Sequence, residues 1–441
     1  MALQSQQNGR PYTSDEIQQK FERLLQDLPG LPRHSPRFAV LMNEANGGAQ
    51  IMKVFKFNVT DTWLPVSLSL FPTNFDPGLV SRFRKKQSGF LSDGLKLASD
   101  GRYRFEHFHL GNEQTDKHHH NLPKGLRLDR LLGDGGFGSV CAVHHISNEK
   151  EVYALKRIRR QNDWKLEIEK MRYVEMELNA LRRIKHPHYI RLISAYTDER
   201  YIGMVMQPAA DCNLGEFLDN FKVEDKHEIT LLMSFFGCLA TALDNLHYRW
   251  NMRHRDIKPQ NILVHEKVIL LTDFGIALDW SEKGYTTTKE EQMRSPRYAA
   301  PEIDAGQPRN SKTDIWSLGC VFLEMIAVLK GEERSFVTNL LAEYGKGGSD
   351  WFCRSPEGIS EVIKRLKEKP AKCGNAPLEW VEDMLKNDMT ERPTSRDLRQ
   401  RILESGRRCE CTFWQDCCTG HDTYGESDAD DDGCSDPSAV S

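Results

Sequence analysis

The chain has 441 residues, of which 39% are hydrophobic, and a formal net charge of −4. This length suffices for two packed lobes and further segments, and the weakly acidic balance argues against a general nucleic-acid-binding surface. Residues 1–25 are polar, which argues against a secretory signal. The apolar stretch Cys320–Leu329 contains Glu324 and falls short of the ~18 apolar residues that a membrane helix needs. We therefore expect no transmembrane segment, and a location in the cytoplasm, the nucleus or both.

Residues 1–120 are predicted to form an α+β extension of unknown role. Ser14–Leu28 has the pattern of an amphipathic helix and ends before Pro29-Gly30. Ser81–Leu97 is a second helix candidate, although two glycines within it weaken the prediction. Three consecutive histidines, His118 to His120, cannot converge on one metal ion, and we interpret them as a loop.

The pattern changes at Lys124, where strand signals begin. A mainly helical half follows after Asn213, with apolar residues at spacings of three and four. The predicted strands are Leu126–Leu132, Ser139–His145, Val152–Ile158 and Tyr201–Met206. The predicted helices are Trp164–Ile184, Thr230–Leu246 and Ile315–Leu329. We therefore expect an α+β fold with a small β-rich lobe and a larger helical lobe.

A glycine-rich turn lies between the first two predicted strands. Gly133, Gly135 and Gly138 would let the backbone approach phosphate oxygens and direct N–H groups at them. The same spacing occurs in dinucleotide-binding turns, but those need a helix directly after the loop. Here Val140 continues as a strand, so a hairpin that covers a nucleotide fits better, and an ordinary glycine hairpin remains the alternative.

One strand later, Lys156 lies among apolar neighbours. A partly buried ammonium needs a counter-charge, and without one a solvated strand lysine would be the better interpretation. The helix that follows offers four candidate carboxylates: Glu167, Glu169, Glu175 and Glu177. Glu175 and Glu177 lie about 200° apart around a helix, so at most one of these two can face the lysine.

The sequence His254-Arg255-Asp256-Ile257-Lys258-Pro259-Gln260-Asn261 carries the strongest chemical signal, together with Asp273-Phe274-Gly275. Two carboxylates and an amide at this spacing suit the positioning of a hydroxyl group and Mg²⁺, since hard cations prefer oxygen ligands. Phosphoryl transfer depends mainly on such positioning and on charge neutralisation.

From about Leu126 to Leu403 the chain resembles the eukaryotic protein kinases. Further matching motifs are Ala300-Pro301-Glu302, Asp314-Ile315-Trp316-Ser317-Leu318-Gly319 and Arg392, all in the family order. The resemblance implies a bilobal kinase domain over residues 124–405, which binds ATP and Mg²⁺ and phosphorylates a protein substrate. Among the four glutamates it favours Glu177, which lies ten residues before Pro187, as the partner of Lys156.

The resemblance also assigns roles to individual residues. Asp256 would orient or deprotonate the substrate hydroxyl, Lys258 would neutralise the γ-phosphate, and Lys156 would hold the α and β phosphates. Asn261 and Asp273 would bind Mg²⁺. Met206 would be the gatekeeper residue of the hinge. The implied nucleotide-binding residues are Gly133, Gly135, Gly138, Val140, Ala154, Lys156, the backbones of Gln207 and Ala209, and Asn213.

Two features bear on the substrate. Lys258, two residues after Asp256, resembles serine/threonine kinases, and Ser295 keeps a hydroxyl that can bridge Asp256 and Lys258. Arg294 departs from the glycine that the family usually has there. We predict an ATP-dependent serine/threonine protein kinase; a kinase-shaped scaffold and a small-molecule kinase are the alternatives, and the intact Lys156, Asp256 and Asp273 argue against the scaffold.

The remaining segments suggest regulation. Phosphorylation within Thr286–Thr288 would be received by Arg255, although an unregulated loop is an equal alternative. Residues 406–441 are Cys-rich and then acidic. We expect a disordered tail there, with zinc binding or acylation as alternatives for its Cys409, Cys411, Cys417 and Cys418. Residues 38–108 resemble the extensions of filamentous-fungal kinases, for which autoinhibition or partner docking are hypotheses.

Overall fold

In the computed structural model the small lobe is built on one six-stranded sheet, in the order β1-β5-β6-β4-β3-β2. The residues that the structure describes are 12–33, 35–47, 50, 52, 55, 59–66, 75–91, 104–107, 122, 125–135, 138–146, 148–274, 278–279, 295–370, 374–409, 412–415 and 418. The six strands are β1 (Arg104–His107), β2 (Leu126–Gly135), β3 (Gly138–His145), β4 (Asn148–Arg159), β5 (Arg191–Thr197) and β6 (Tyr201–Gln207).

The strands predicted from alternating and apolar patterns are all present in this sheet. The sequence interpretation missed β5 and the edge strand β1, which pairs in parallel with β5, with Arg104 opposite Ser194. The short β1 comes from the region that we had assigned to a separate extension. The extension therefore contributes backbone hydrogen bonds to the small lobe.

The N-terminal region contains the helices α1 (Ser14–Asp27), α2 (Pro36–Glu44) and α3 (Pro77–Gln87). The long helix α4 (Trp164–Arg183) follows strand β4, and each of its bounds lies within one residue of the prediction. Asp163 caps α4 by accepting hydrogen bonds from the N–H groups of Lys165 and Leu166. These N–H groups lie in the first turn and have no acceptor within the helix. The stripe that α4 buries includes Met171, Val174, Glu177 and Leu178.

The large lobe is mainly helical, as predicted. Its helices are α5 (Leu214–Asp219), α6 (Lys226–Tyr248), α7 (Pro301–Asp304), α8 (Lys312–Leu329), α9 (Arg334–Tyr344), α10 (Pro356–Lys367), α11 (Ala376–Met384) and α12 (Ser395–Cys409). Its strands are β7 (Cys212–Asn213), β8 (Met252–Arg253), β9 (Ile262–His265), β10 (Val268–Leu271) and β11 (Leu278–Asp279). Single 3-10 turns lie at Asp61–Trp63, Ser88–Phe90, Pro259–Asn261, Pro296–Tyr298, Lys346–Gly348, Phe352–Arg354 and Met389–Glu391.

Helix α6 is the central helix of the large lobe. By length and composition it would be able to cross a membrane, a property that the sequence interpretation overlooked. However, 83% of its most apolar window is buried inside the protein. Its apolar surface is thus used by the core of the lobe, which is weak ground for a membrane span, and the prediction of no transmembrane segment stays a prediction.

The N-terminal region packs against the small lobe. Phe21 and Phe38 belong to the same continuous hydrophobic core as Met171 of α4 and residues of the large lobe. The predicted helix Ser14–Leu28 is confirmed. The helix predicted over Ser81–Leu97 is wrong in its bounds: α3 begins at Pro77 because Asp76 caps it, and a 3-10 turn at Ser88–Phe90 follows its end.

Arg160, at the end of β4, joins the N-terminal region to the small lobe. Its guanidinium donates hydrogen bonds to the backbone oxygens of Trp63 (2.9 Å) and Pro65 (2.5 Å) and to the Glu167 carboxylate (2.7 Å). The ring of Trp63 lies 5.1 Å from that of Trp164 at the start of α4. The N-terminal region is therefore attached to the first turn of α4.

The tail differs from the expected disorder. Helix α12 continues to Cys409, and Phe413 is only 1% exposed because its ring packs against Phe236 and Trp380. Cys418 is also buried. For these residues the prediction of a disordered segment from 406 is wrong, because apolar side chains of the tail find a site on the large lobe. The acidic stretch lies outside the described residues.

The ion pair between Arg392 and Glu302 provides a stability test. Arg392 is 1% exposed and donates two hydrogen bonds of 2.8 Å to the Glu302 carboxylate. We expect Arg392→Ala to lower the free energy of unfolding by about 3–5 kcal/mol, since it leaves a buried charge without its partner. Arg365→Ala, at an exposed pair with Glu361, is the control and should cost far less, because solvent screens an exposed ion pair. Urea titration measures both, and equal losses would contradict the assignment.

Candidate active site

Lys156 lies at the centre of a buried charge cluster. Its ammonium is 2.7 Å from Glu177 Oε1, on α4, and 2.5 Å from Asp273 Oδ1, which follows β10. Strand β4 and helix α4 thus present opposite charges to each other, as predicted. The second carboxylate comes from a segment more than a hundred positions later in the chain, and the sequence interpretation had not paired it with Lys156.

The choice between Glu177 and Glu175 is resolved by the contacts of each side chain. Glu177 is 4% exposed and faces the sheet. Glu175 accepts a hydrogen bond from the Thr60 hydroxyl of the N-terminal region. The two carboxylates therefore lie on different faces of α4, as the helical rotation of about 200° between them requires.

The shared position of Lys156 shifts the pKa of each group. Burial favours the neutral amine, but the two carboxylates raise the pKa of Lys156 above its ordinary value. Burial, with repulsion from Asp273, raises the pKa of Glu177 against the opposing attraction of Lys156. Burial acts in the same direction on Asp273, yet the attraction and hydrogen bond of Lys156 outweigh it and lower the pKa of Asp273. The lysine is therefore cationic at neutral pH.

A second cluster forms around Asp256. Lys258 Nζ lies 2.8 Å from Asp256 Oδ2 and donates to the Ser295 hydroxyl at 2.6 Å. The backbone N–H of Ser295 donates to Asp256 Oδ1 at 3.4 Å. Ser295 thus contacts both residues as predicted, although it reaches Asp256 through its backbone and not through its hydroxyl.

Asn261 links this cluster to the cavity. Its side-chain N–H₂ group donates to the backbone oxygen of Asp256 at 2.9 Å and to Asp256 Oδ2 at 2.8 Å. Because both amide donors are used on Asp256, the amide oxygen is the atom left to accept a cation. Asn261 and Asp273 together line the same cavity, and their oxygen donors suit Mg²⁺.

The loop that carries Asp256 is fixed by the buried carboxylate of Asp314, on α8. Its two oxygens accept from the backbone N–H groups of His254 and Arg255, each at 2.8 Å, and Oδ2 also lies 2.9 Å from His247 Nε2. Burial opposes ionisation, but the hydrogen bonds and the nearby histidines lower the pKa of Asp314. Arg255 can therefore hold its left-handed φ of 72°, a conformation that costs free energy in a non-glycine residue.

Phe274 fixes the direction of Asp273. Its side chain is fully buried, 5.0 Å from the His254 ring and 5.6 Å from the Tyr189 ring. His254 Nε2 lies 2.9 Å from the backbone oxygen of Thr272. With the phenylalanine side chain inside the core, the neighbouring Asp273 carboxylate, at φ 69°, is directed at Lys156.

A cavity of about 260 Å³ lies between the lobes. Its lining combines apolar side chains with polar groups, among them Lys156, Asn261 and Asp273. A concave site with apolar walls and convergent polar groups is typical of small-molecule sites. The apolar lining includes Leu132, Val140, Ala154, Ile190, Met206 and Leu263.

The predicted nucleotide-binding residues occupy different positions around this cavity. Gly133, Val140, Ala154, Lys156 and Asn213 line it. Gly135 and Gly138 pair at the end of the β2–β3 hairpin. Gly138 has φ 139°, and a Cβ atom there would meet the Arg157 carbonyl oxygen, so only glycine fits.

Part of the predicted hinge does not belong to the cavity lining, contrary to expectation. Gln207 accepts a side-chain hydrogen bond from Arg191 at 2.6 Å, and neither Gln207 nor Ala209 belongs to the cavity lining. Their predicted backbone contacts with adenine therefore stay predictions. The lining instead includes Ala210 and Asp211, which the sequence interpretation missed although both follow the gatekeeper position closely. Gly275, Arg294 and Thr286–Thr288 lie outside the described residues.

The different faces of Glu175 and Glu177 allow a matched test. We expect Glu177→Gln to lower the free energy of unfolding by about 2–3 kcal/mol, because a buried cation loses one of two counter-charges. Glu175→Gln should cost about 1 kcal/mol or less, since an amide oxygen can still accept from Thr60. Chemical denaturation of the purified variants measures both. If Glu175→Gln were the more damaging change, the orientation of α4 would be wrong.

Comparisons with known proteins agree with this geometry. Residues 126–402 match the protein kinase domain. The chain is 32% identical over 216 residues to the serine/threonine-protein kinase nekl-2 of Caenorhabditis elegans, covering 47% of this chain and 57% of that protein. It is 26% identical to human 3-phosphoinositide-dependent protein kinase 1, covering 47% of this chain and 36% of that protein. It is 30% identical to the serine/threonine-protein kinase PKH2 of Saccharomyces cerevisiae, covering 56% and 23%.

The kinase-domain match covers the two lobes around the cavity. The chain covers at most 57% of the length of these three relatives. The kinase-domain match spans more than half of this chain and includes the charge cluster, the Asp256 loop and the Arg392–Glu302 pair. The chain therefore belongs to the protein kinase family.

Proposed function

We propose that the protein transfers the γ-phosphate of ATP to a serine or threonine hydroxyl of a protein substrate. The observation that carries this proposal is that Asn261, which lines the cavity beside Lys156 and Asp273, also donates to Asp256 and so joins two charge clusters. Lys156 with Glu177 and Asp273 forms one, and Asp256 with Lys258 forms the other. Both have the partners that phosphoryl transfer uses for positioning and charge neutralisation.

The cavity supports ATP as the phosphate donor. Its apolar lining residues, which include Ala154 and Leu263, offer contact for an aromatic base, and Lys156 in the same lining offers a cation for phosphate oxygens. Asn261 and Asp273 would hold Mg²⁺, which neutralises charge on the phosphates when bound. Asp211 and Asn213 also line the cavity and would offer hydrogen-bond partners to the ribose hydroxyls.

The Asp256 cluster supports a hydroxyl acceptor. Lys258 and Asn261 hold the Asp256 carboxylate through Oδ2. The remaining oxygen, Oδ1, accepts only a long contact of 3.4 Å from the Ser295 N–H among the described contacts. Oδ1 is therefore the atom that would accept the hydrogen bond of an incoming hydroxyl, and Lys258 would offset negative charge on the phosphate being transferred.

Lys258 and Ser295 also support the serine/threonine class of substrate, and the nekl-2 and PKH2 relatives are named as serine/threonine-protein kinases. The scaffold alternative is disfavoured because the ion pairs around Lys156 and Asp256 are complete. The resemblance of residues 38–108 to the extensions of filamentous-fungal kinases stays a prediction within this proposal. The same holds for a location in the cytoplasm, the nucleus or both.

A transfer assay with matched carboxylate variants tests the activity. We expect wild-type protein to label a generic serine- and threonine-containing substrate from radioactive ATP and Mg²⁺. Asp256→Asn and Asp273→Asn should each lower kcat by roughly 10²-fold or more, the usual contribution of a general base or an electrostatic group. Asp383→Asn, at an exposed pair with Arg401, is the control and should retain activity. Wild-type labelling no higher than that of Asp273→Asn would contradict the proposal.

Phosphorylation of the segment after Asp273 is a second part of the proposal. Arg253, Arg255 and Arg309 are each less than 9% exposed, and Arg253 Nη1 donates to the Arg309 backbone oxygen at 2.8 Å. Burial and repulsion from the other two arginines lower the pKa of Arg253, against the attraction of Asp314. A phosphate on Thr286, Thr287 or Thr288 would relieve this repulsion.

We expect replacement of Thr286, Thr287 and Thr288 by alanine to lower kcat about tenfold or more. The triple variant cannot carry the phosphate, and each charge-assisted hydrogen bond to a phosphate is worth about 1.5–3 kcal/mol. Phosphatase treatment should lower wild-type activity and leave the triple variant unchanged. Thr230→Ala, at an exposed position of α6, should behave as wild type. Kinetic assays and mass spectrometry measure these effects, and full activity of the triple variant would argue against regulation.

A further inference from the structure

A cluster of three potential metal ligands lies inside the protein, and none of the three belongs to the lining of the active-site cavity. We propose that His188, Cys238 and Cys418 form a zinc-binding site that fixes the C-terminal tail to the large lobe. One ligand atom of each residue lies within 4.8 Å of the others, and all three residues are buried. They come from the loop between α4 and β5, from α6 and from the tail. This proposal is independent of the proposed kinase activity.

The distances fit tetrahedral coordination. Zinc–sulfur bonds of about 2.3 Å at tetrahedral angles place two sulfur ligands about 3.8 Å apart. The sulfur atoms of Cys238 and Cys418 are 3.8 Å apart. His188 Nε2 lies 3.1 Å from the Cys418 sulfur, so a small outward movement of the ring would admit the ion. Three protein ligands leave the fourth tetrahedral position to a further donor.

The histidine is oriented as a metal ligand. Its Nδ1 atom lies 2.7 Å from the backbone oxygen of Ile269 on β10. This contact requires a proton on Nδ1, which leaves the Nε2 lone pair directed at the two sulfur atoms. A hydrogen bond from the second ring nitrogen to a carbonyl is the usual support for a zinc-bound histidine. His188 is fully buried, so solvent does not compete for Nε2.

The electrostatics favour a divalent ion over bare thiolates. A buried charge is costly unless it is compensated. Two thiolates, a neutral imidazole and Zn²⁺ form a neutral unit, which suits an enclosed and largely apolar site. Nitrogen and sulfur ligands are also those that zinc prefers over the harder magnesium ion.

A backbone hydrogen bond between α6 and the tail holds Cys418 near the other two ligands. Gly237, next to Cys238, donates its backbone N–H to the Phe413 oxygen at 2.7 Å. A Cβ atom at Gly237 would lie 2.3 Å from that oxygen and from the Trp414 ring. The Cys418 N–H donates to the Gln415 oxygen at 3.0 Å. The tail is thus seated closely enough for its thiol to reach the two other ligands.

Metal analysis of the full-length protein tests the site. We expect wild-type protein, purified under reducing conditions and dialysed against zinc chloride and then buffer, to retain about one zinc ion per chain by mass spectrometry, since metal affinity and folding are coupled at such sites. Cys418→Ser and His188→Gln should lose most of this zinc. Cys353→Ser, at a half-buried cysteine elsewhere in the large lobe, is the matched control and should retain it.

Cobalt chloride provides a second measurement that does not depend on recovered zinc. Wild-type protein should show a thiolate-to-cobalt charge-transfer band that zinc chloride abolishes, and Cys418→Ser should show a weaker band. Circular dichroism will establish that Cys418→Ser is folded; because Cys418 lies in the tail, we expect the two lobes to remain intact. Zinc retained equally by wild type and Cys418→Ser would overturn the proposal. Wild-type protein that binds neither zinc nor cobalt would also overturn the proposal. This includes the case in which mass spectrometry shows a disulfide between Cys238 and Cys418.

Discussion

The charge of Lys156 is the constraint on which the arrangement of the two lobes depends. An ammonium on an inner strand of a sheet is stable only if opposite charges reach it. One comes from α4 and the other from the segment after β10. A single cation therefore sets the position of a small-lobe helix relative to a large-lobe loop. The same cation lines the cavity, so the geometry that stabilises the protein is also the geometry of the site.

Helix α4 must hold its position for this cluster to exist, and the N-terminal region supports it from outside. The Thr60 hydroxyl contacts Glu175, and the Trp63 ring contacts Trp164. Arg160 fixes the backbone of the same N-terminal residues. Glu175 and Glu177 thus connect opposite faces of one helix to the extension and to the active site.

The sequence predicted the parts of the site whose spacing reflects local chemistry. The order of Asp256, Lys258 and Asn261 and the helical rotation between Glu175 and Glu177 are local, so they could be read without a structure. The contact of Lys156 with Asp273 and the pairing of β1 with β5 bring distant segments together. Such contacts leave no periodic signal. Likewise, Phe413 and Cys418 occur in a polar, Cys-rich segment, and only the presence of an apolar site on the large lobe explains their burial.

The N-terminal region contacts α4, and the described part of the tail contacts the loop that follows this helix. The N-terminal residues contact the start of α4 and its outer face, whereas the loop after α4 is tied to the large lobe, where the Leu271 N–H donates to the His188 oxygen at 2.8 Å. The His188 ring in turn lies against Cys418 of the tail. Helix α4, of 20 residues, also carries Glu177, so the N-terminal region contacts the same element that supplies a counter-charge to Lys156. The tail contacts the loop that follows this helix, and α6 of the large lobe.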